Sequence, residues 1–409
     1  MSALARLYLH EGATVSGSDA VESENTKKLE TEGATVLYDQ KGENITDSMS
    51  LVVYTEAMPH SHPELEAARE KGIKTINYFE ALGEIANEYY LIAVAGTHGK
   101  TTTTAMLADI LEEASFDPSV VVGSLRSKTG SNYRAGKSKY FVVEACEYKR
   151  DFLTLRPDVL VITNLEHEHV DYYKDLEDVQ SAFAELAQRV PKDGAIIAAT
   201  TDLKVKPILK HVKARVVDYR MELPQVLSLR QPGLYNRMNA AAARATALFL
   251  GIEKDDIARA LDTFAGTKRR FEYKGDVNGA HVYDDYAHHP TEIVAAISGA
   301  RELYPTKKLV VIWEGHTYSR VSELFDEFLS ALSGADRVIV VPIYAAREEN
   351  VSGVSGEDVV EKLTAENVPA QYFHTLEAAA LAVTEQVDDD WVVLIMGAGK
   401  VTAVADMLT

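Results

Sequence analysis

The run Leu91-Ile-Ala-Val-Ala-Gly96-Thr97-His98-Gly99-Lys100-Thr101-Thr102-Thr103 decides how the rest of the chain is read. Its first residues are small or apolar without a break, which predicts a strand buried on both faces. Gly96–Gly99 then forms a loop of small residues, and the stretch from Thr104 to Glu113 predicts a helix. Backbone N–H groups of such a loop can surround a phosphate, and the helix N-terminus adds its dipole. Lys100 is placed to pair with the β- and γ-phosphates, and the Thr101 hydroxyl to ligate Mg²⁺. The full eight-residue phosphate-loop pattern is absent, since Val94 stands at its first glycine.

Working outward, similar apolar runs recur at Ser50–Thr55, Tyr140–Val143, Val159–Thr163, Leu309–Trp313, Arg337–Pro342 and Val392–Met396. Amphipathic helical stretches alternate with them, so the class is α/β, with parallel sheets covered by helices. A chain of 409 residues exceeds one ordinary core. Polar residues between Ala86 and Tyr90, and a basic cluster between Gly266 and Gly275, predict three domains at 1–89, 90–268 and 269–409.

Composition narrows the function. With 46% apolar and 25% charged residues the chain is globular. No run is long enough for a membrane helix, and no signal-peptide pattern follows Met1. The single Cys146 excludes an intramolecular disulfide and fits a reducing cytoplasm. A net charge of −20 argues against nucleic acid as a partner. Anionic substrates must therefore be held by local devices such as helix ends, a few cations or a bound metal.

A metal needs carboxylates nearby. The strand Tyr140–Val143 ends in Glu144-Ala-Cys-Glu147, which places Glu144 at the strand end where ligands gather in parallel sheets. After Val159–Thr163 comes Asn164-Leu-Glu166-His167-Glu168-His169-Val-Asp171, which is dense in metal-ligand residue types. The histidines keep zinc open as a competitor; the neighbouring phosphate loop favours Mg²⁺-nucleotide. Asp284-Asp285-Tyr286-Ala287-His288-His289-Pro290 fits either a helix start, with Pro290 at its first position, or a catalytic pair.

Taken together these motifs resemble those of the Mur ligase family, in order from about Ser16 to Gly399. Gly96–Thr101 is similar to its short G-T-x-G-K-[ST] loop, which implies an ATP site of Gly96, Thr97, His98, Gly99, Lys100, Thr101 and Thr102. Val143–Glu147 and Asn164–Asp171 resemble its two metal segments, implying Mg²⁺ on Thr101, Glu144 and His169. Gly233-Leu-Tyr-Asn236-Arg-Met-Asn239 resembles its adenine-binding helix start, with Asn236 as the base contact. Arg269-Arg270-Phe271-Glu272 resembles the hinge whose arginine reaches the γ-phosphate, and Arg270 and Asp285 are carried over as nucleotide contacts. Asp284–Glu292, His316-Thr-Tyr-Ser-Arg320 and Met396-Gly-Ala-Gly399 resemble the third-domain motifs, making His288 and Arg320 candidates on the acceptor side.

The resemblance implies a Rossmann-like N-terminal domain, a central ATPase domain and a Rossmann-like C-terminal domain. It implies a cytoplasmic enzyme, monomer or homodimer, that uses ATP to join L-alanine to the lactate carboxylate of UDP-N-acetylmuramate. Attachment of a recycled tripeptide to the same sugar nucleotide is the nearest alternative, and a phosphate-loop NTPase without ligase activity a more distant one. Asp175–Arg189 lacks the lysine that later members of the series carry downstream of the metal histidine. Departures are Tyr235 for His, Thr317 for Arg and Lys400 for Asp. The family's opening strand and G-x-G-G-x-G loop also have no counterpart, since Met1–Arg6 resembles the helix that follows them; the expectation is an unpaired strand edge at the front.

Overall fold

The structure, a computed structural model, describes residues 1–56, 58–170, 172–225 and 229–409. Its contacts divide the chain into two compact units. One comprises Met1–Leu125, Gly130–Glu222 and Ala241–Ala260; the other Arg126–Thr129, Leu223–Ala240 and Leu261–Thr409.

The first unit is built on a seven-stranded sheet. Its order is Arg215–Asp218, Ala195–Ala198, Val159–Ile162, Tyr90–Ala95, Tyr140–Glu144, Ser119–Arg126 and Ser131–Arg134. Tyr90–Ala95 lies at the centre and pairs in parallel with Val159–Ile162 on one side and Tyr140–Glu144 on the other. Leu91 to Ala95 are each 0% exposed, which is why the strand reads as an unbroken apolar run. The three motif-bearing strands are thus neighbours, and their C-terminal ends come out along one edge.

Toward the N-terminus, Ser16–Ser18 pairs with Thr35–Leu37 and Leu51–Tyr54 with Lys74–Asn77, both in parallel. These are two separate two-stranded sheets among the described residues. Ala3, Leu4 and Leu7 of the helix Ser2–His10 share one apolar core with Leu82, Leu91, Phe141 and Leu160. The helix Tyr78–Ala86 opens with a capping box, Glu80 N donating to Asn77 Oδ1 and Asn77 N to Glu80 Oε2, both at 2.8 Å.

The second unit holds a six-stranded sheet, ordered Glu272–Val277, Ala280–Asp285, Trp391–Met396, Lys308–His316, Arg337–Tyr344 and Ala370–Tyr372. Alternate residues supply two cores. Val311, Trp313, Leu394 and Met396 pack on one face, and Val310, Ile312, Val393 and Ile395 on the other. This sheet corrects the all-parallel expectation, because Glu272–Val277 runs antiparallel to Ala280–Asp285. The edge strand mixes charged and apolar residues, so it makes no continuous run. Its signal lay in Asn278-Gly279, whose φ values of +49° and +87° are those of a tight hairpin turn. No helix among the described residues is long and apolar enough to cross a membrane.

Candidate active site

The phosphate loop leaves the central strand through Gly96, at φ +139°. A Cβ there would stand 2.0 Å from Thr163 Oγ1, so only glycine lets the loop pass the neighbouring strand end. Gly99, at φ +74°, caps the helix Lys100–Glu113. The loop is tied to the motif after Val159–Ile162. His98 N donates to Asn164 Oδ1 at 3.0 Å, Thr163 Oγ1 to His98 O at 2.7 Å, and Glu166 N to Thr97 Oγ1 at 2.8 Å. His98 Nε2 lies 3.2 Å from Glu166 Oε2. Two motifs some 65 residues apart therefore form one scaffold.

Lys100 Nζ donates to Gly96 O at 2.6 Å, Thr97 O at 2.7 Å and Glu147 Oε1 at 2.9 Å. Burial is the largest single influence and works against its charge, but the neighbouring groups, led by Glu147 and including Glu168, together outweigh it and hold the ammonium above the ordinary lysine range. Thr101 Oγ1 donates to Glu144 Oε1 at 2.9 Å, while Glu144 Oε2 accepts from Gly123 N at 2.7 Å. Thr101 and Thr102 are buried.

His169, which the family resemblance groups with Glu144, has Glu147 as an ion-pair partner. Its Nε2 lies 3.6 Å from Glu147 Oε1, and its ring 4.8 Å from that of Tyr148. Glu147, Glu168 and His169 each present a ligand atom, all within 4.8 Å of one another. Glu147 is 2% exposed and its Oε2 has no hydrogen-bond partner. A buried carboxylate oxygen without a donor is costly, and a hard cation would satisfy it, so this set fits a divalent metal. The expected contribution of Asp171 lies outside the described residues. Glu147 was legible only as the second carboxylate of E-x-x-E; its choice as the shared partner of Lys100 and His169 was not. Burial pushes the Cys146 thiol up to about 12, which keeps it neutral beside these groups.

In the second unit, Asn236 sits in the first turn of Leu234–Phe249, its Nδ2 donating to Pro232 O at 2.8 Å. The segment around Arg270 is unusual in its backbone. Arg269 and Phe271 both take left-handed φ, +58° and +50°, at a cost of roughly 1–3 kcal/mol each. Asp285 secures it by accepting from Phe271 N at 2.7 Å and Ala287 N at 2.8 Å. Burial raises Asp285 to about 6, with Arg270 opposing the shift. The Arg270 guanidinium lies 5.1 Å from the centre of the Tyr286 ring and 3.9 Å from Glu292.

His289 caps the helix Pro290–Leu303 by accepting from Thr291 N, so the structural reading of the histidine pair holds for that member. His288 instead turns its Nδ1 to Tyr286 O at 2.9 Å, and its ring stands 5.6 Å from that of His316. Arg320 NH1 lies 3.1 Å from His316 Nδ1 and 2.9 Å from His316 O. Burial, then the charges of His288 and Arg320, lower His316 to about 4. Since a guanidinium only donates, Nδ1 must accept, and the neutral ring carries its proton on Nε2. Thr317 Oγ1 donates to Glu348 at 2.7 Å. Glu348 also accepts from Ser319 N at 2.9 Å, a role no sequence motif announced.

A phosphate loop and carboxylate pair on one parallel sheet, and a histidine–arginine group on a second, are the parts of a nucleotide-dependent ligase. Three family profiles match the chain in order: the Mur ligase family catalytic domain over 1–90, the Mur ligase middle domain over 94–228, and the Mur ligase glutamate ligase domain over 269–399. The chain belongs to the Mur ligase family. It is 40% identical, over 436 aligned positions, to the UDP-N-acetylmuramate–L-alanine ligase of Agathobacter rectalis, covering 100% of this chain and 95% of that one. Its fold is similar to that of the UDP-N-acetylmuramate–alanine ligase of Thermotoga maritima, with TM-score 0.81, 26% identity and coverage of 100% and 95%. A murein peptide ligase of Psychrobacter arcticus shares the fold at TM-score 0.71 and 24% identity, with the same coverage.

Proposed function

We propose that the chain is an ATP-dependent ligase that joins L-alanine to the lactate carboxylate of UDP-N-acetylmuramate, the first amino-acid addition to the peptidoglycan precursor. One observation carries the choice of reaction: 40% identity along the whole chain to a ligase of that name. In this reading residues 1–89 serve the sugar nucleotide, 90–268 the ATP and 269–409 the amino acid. The enzyme works in the cytoplasm.

The chemistry follows from the equilibrium. Joining a carboxylate to an amine in water is uphill unless the carboxylate is activated. An oxygen of the lactate carboxylate attacks the γ-phosphorus of ATP; the new O–P bond forms as the β–γ bridge breaks, giving an acyl phosphate and ADP. The neutral alanine amine then attacks the acyl carbon, the tetrahedral intermediate expels phosphate, and the amine proton passes to solvent or a base.

Phosphoryl transfer is mostly positioning and charge neutralisation. Lys100 and the helix N-terminus at Gly99 hold the phosphates, and Arg270 meets charge developing on the γ-phosphoryl group. Thr101 with Glu144, and Glu147 with Glu168 and His169, would hold a divalent cation, expected to be Mg²⁺. When bound it supplies charge neutralisation on the phosphate oxygens. Asn236 and Asp285 orient the nucleoside. Arg320 and the Nε2–H of His316 are donors suited to the carboxylate or the acyl phosphate of the acceptor step, while His288, whose Nδ1–H goes to Tyr286 O, offers Nε2 as an acceptor for the alanine amine.

The test is phosphate release from ATP with a divalent metal and UDP-N-acetylmuramate, adding L-alanine, other amino acids or tripeptide in turn. Release that depends on both sugar nucleotide and L-alanine supports the assignment. Release with tripeptide in place of alanine would move it to murein recycling.

A further inference from the structure

The two arginines of Arg269-Arg270 are chemically alike, yet the fold uses them differently. We infer that Arg269 is a positioning residue which, through Asp284 and the loop Gly397–Thr402, fixes where Arg270 is presented. The inference rests on the ligase reading for the role of Arg270.

Arg269 is committed to its own unit. Its NH2 donates to Gly397 O and its NH1 to Gly399 O at 3.4 Å, while its Nε faces Asp284 Oδ2 at 3.4 Å. Its guanidinium also lies 4.9 Å from the centre of the Tyr286 ring. Asp284 is 0% exposed, and its Oδ2 accepts from Thr402 Oγ1 at 2.6 Å. Glu314, 4% exposed, accepts from Lys400 N of the same loop at 3.1 Å. Gly397 N donates to Asp285 O at 3.2 Å. The loop is therefore held at Gly397, Gly399, Lys400 and Thr402 by groups from three segments. Gly399 is required for this closeness, since a Cβ would stand 2.3 Å from Glu314 Oε2.

A second set of contacts, next to the first, pins the backbone around Arg270. Arg269 N donates to Glu272 Oε2 at 2.8 Å, Tyr286 N to Arg269 O at 2.7 Å, and Phe271 N to Asp285 Oδ2 at 2.7 Å. Arg270 thus sits between two left-handed residues, each pinned by the Asp284–Tyr286 segment. A planar guanidinium can meet two carbonyls and a carboxylate together; a lysine ammonium, a single point charge on a flexible stem, cannot reproduce that geometry.

The experiment is a double-mutant cycle in the full chain, with kcat and KM read from phosphate release. Arg269→Lys is expected to lower kcat by at least about tenfold, with KM for L-alanine unchanged within about twofold. In an Arg270→Ala background the same change should cost less than about twofold, because a residue acting only through Arg270 has nothing left to position. Thr402→Val, which releases the loop without touching either arginine, should repeat the pattern more weakly and serves if Arg269→Lys does not fold. Equal fold-losses in both backgrounds, or an Arg269→Lys enzyme with wild-type kcat, would overturn the inference. Titrating a non-hydrolysable ATP analogue into the same variants reads the coupling without turnover. A wild-type chain inactive with L-alanine would thus count against the ligase reading alone.

Discussion

Nζ of Lys100 lies 2.9 Å from Oε1 of Glu147, a carboxylate only 2% exposed. The pair is a buried ion pair at the edge where nucleotide phosphates are expected, so each member has two tasks. Removing Lys100 should lower kcat by about two to three orders of magnitude, as loss of one aimed donor does elsewhere. It should also strand the Glu147 charge, costing about 3–5 kcal/mol of stability. Lys100→Met/Glu147→Gln should therefore be more stable than Lys100→Met alone in urea unfolding while remaining as inactive. A double variant no more stable than the single one would contradict the ion-pair account.

The proximity of Glu147, Glu168 and His169 predicts a metal affinity measurable without turnover. Glu147→Gln and His169→Ala should each weaken Mn²⁺ binding, followed by electron paramagnetic resonance, by roughly tenfold or more. Chelation of all divalent metal should abolish phosphate release, and Mg²⁺ should restore it.

His316 gives a pH signature. Its folded value of about 4 lies below the ordinary 6.5, so the unfolded chain binds the extra proton between those values. Its contribution to stability is fully present above about 6.5 and is lost as the pH falls through about 4. Comparing urea unfolding at pH 7 and pH 4, wild type should lose on the order of 1 kcal/mol more than His316→Gln, the full shift being reduced by solvent screening of the partly exposed ring. Parallel pH curves for the two proteins would show that the ring is not held neutral.

Cys146 should be nearly inert in the folded protein. With its thiol raised to about 12 by burial, the thiolate fraction at pH 8 is on the order of one in ten thousand. Alkylation by iodoacetamide at pH 8 should run at least about a hundredfold slower than for the denatured chain. Rapid labelling of the native protein would reveal an opening of the strand end around Glu144–Glu147.

Several of these groups are legible in the sequence alone. Leu91–Ala95 reads as a central strand because burial on both faces leaves no polar residue in it. Lys100 and Thr101 follow from the spacing of Gly96 and Gly99, which sets a helix N-terminus against a turn. Less could be read where one residue type had several possible partners. The spacing of Glu144, Glu147 and His169 does not say which carboxylate the histidine meets, and the structure selects Glu147. The edge strand Glu272–Val277 escaped because an edge strand carries no continuous apolar signature, although Asn278-Gly279 marked its turn.

What the sequence by itself determined is local in origin: the alternation of strands and helices, the phosphate loop, and the residue types available for metal and phosphate. These follow from hydrophobic periodicity, turn chemistry and charge, each read within a dozen positions. Only the tertiary structure decided how like residues divide their labour. It set Arg269 against the Gly397–Thr402 loop and left Arg270 beside Tyr286, and it made His289 a helix cap while turning His288 toward His316. Apart from the local His289 cap, those choices depend on distances between segments far apart in the chain, fixed by sheet order and burial rather than by any residue's own preference.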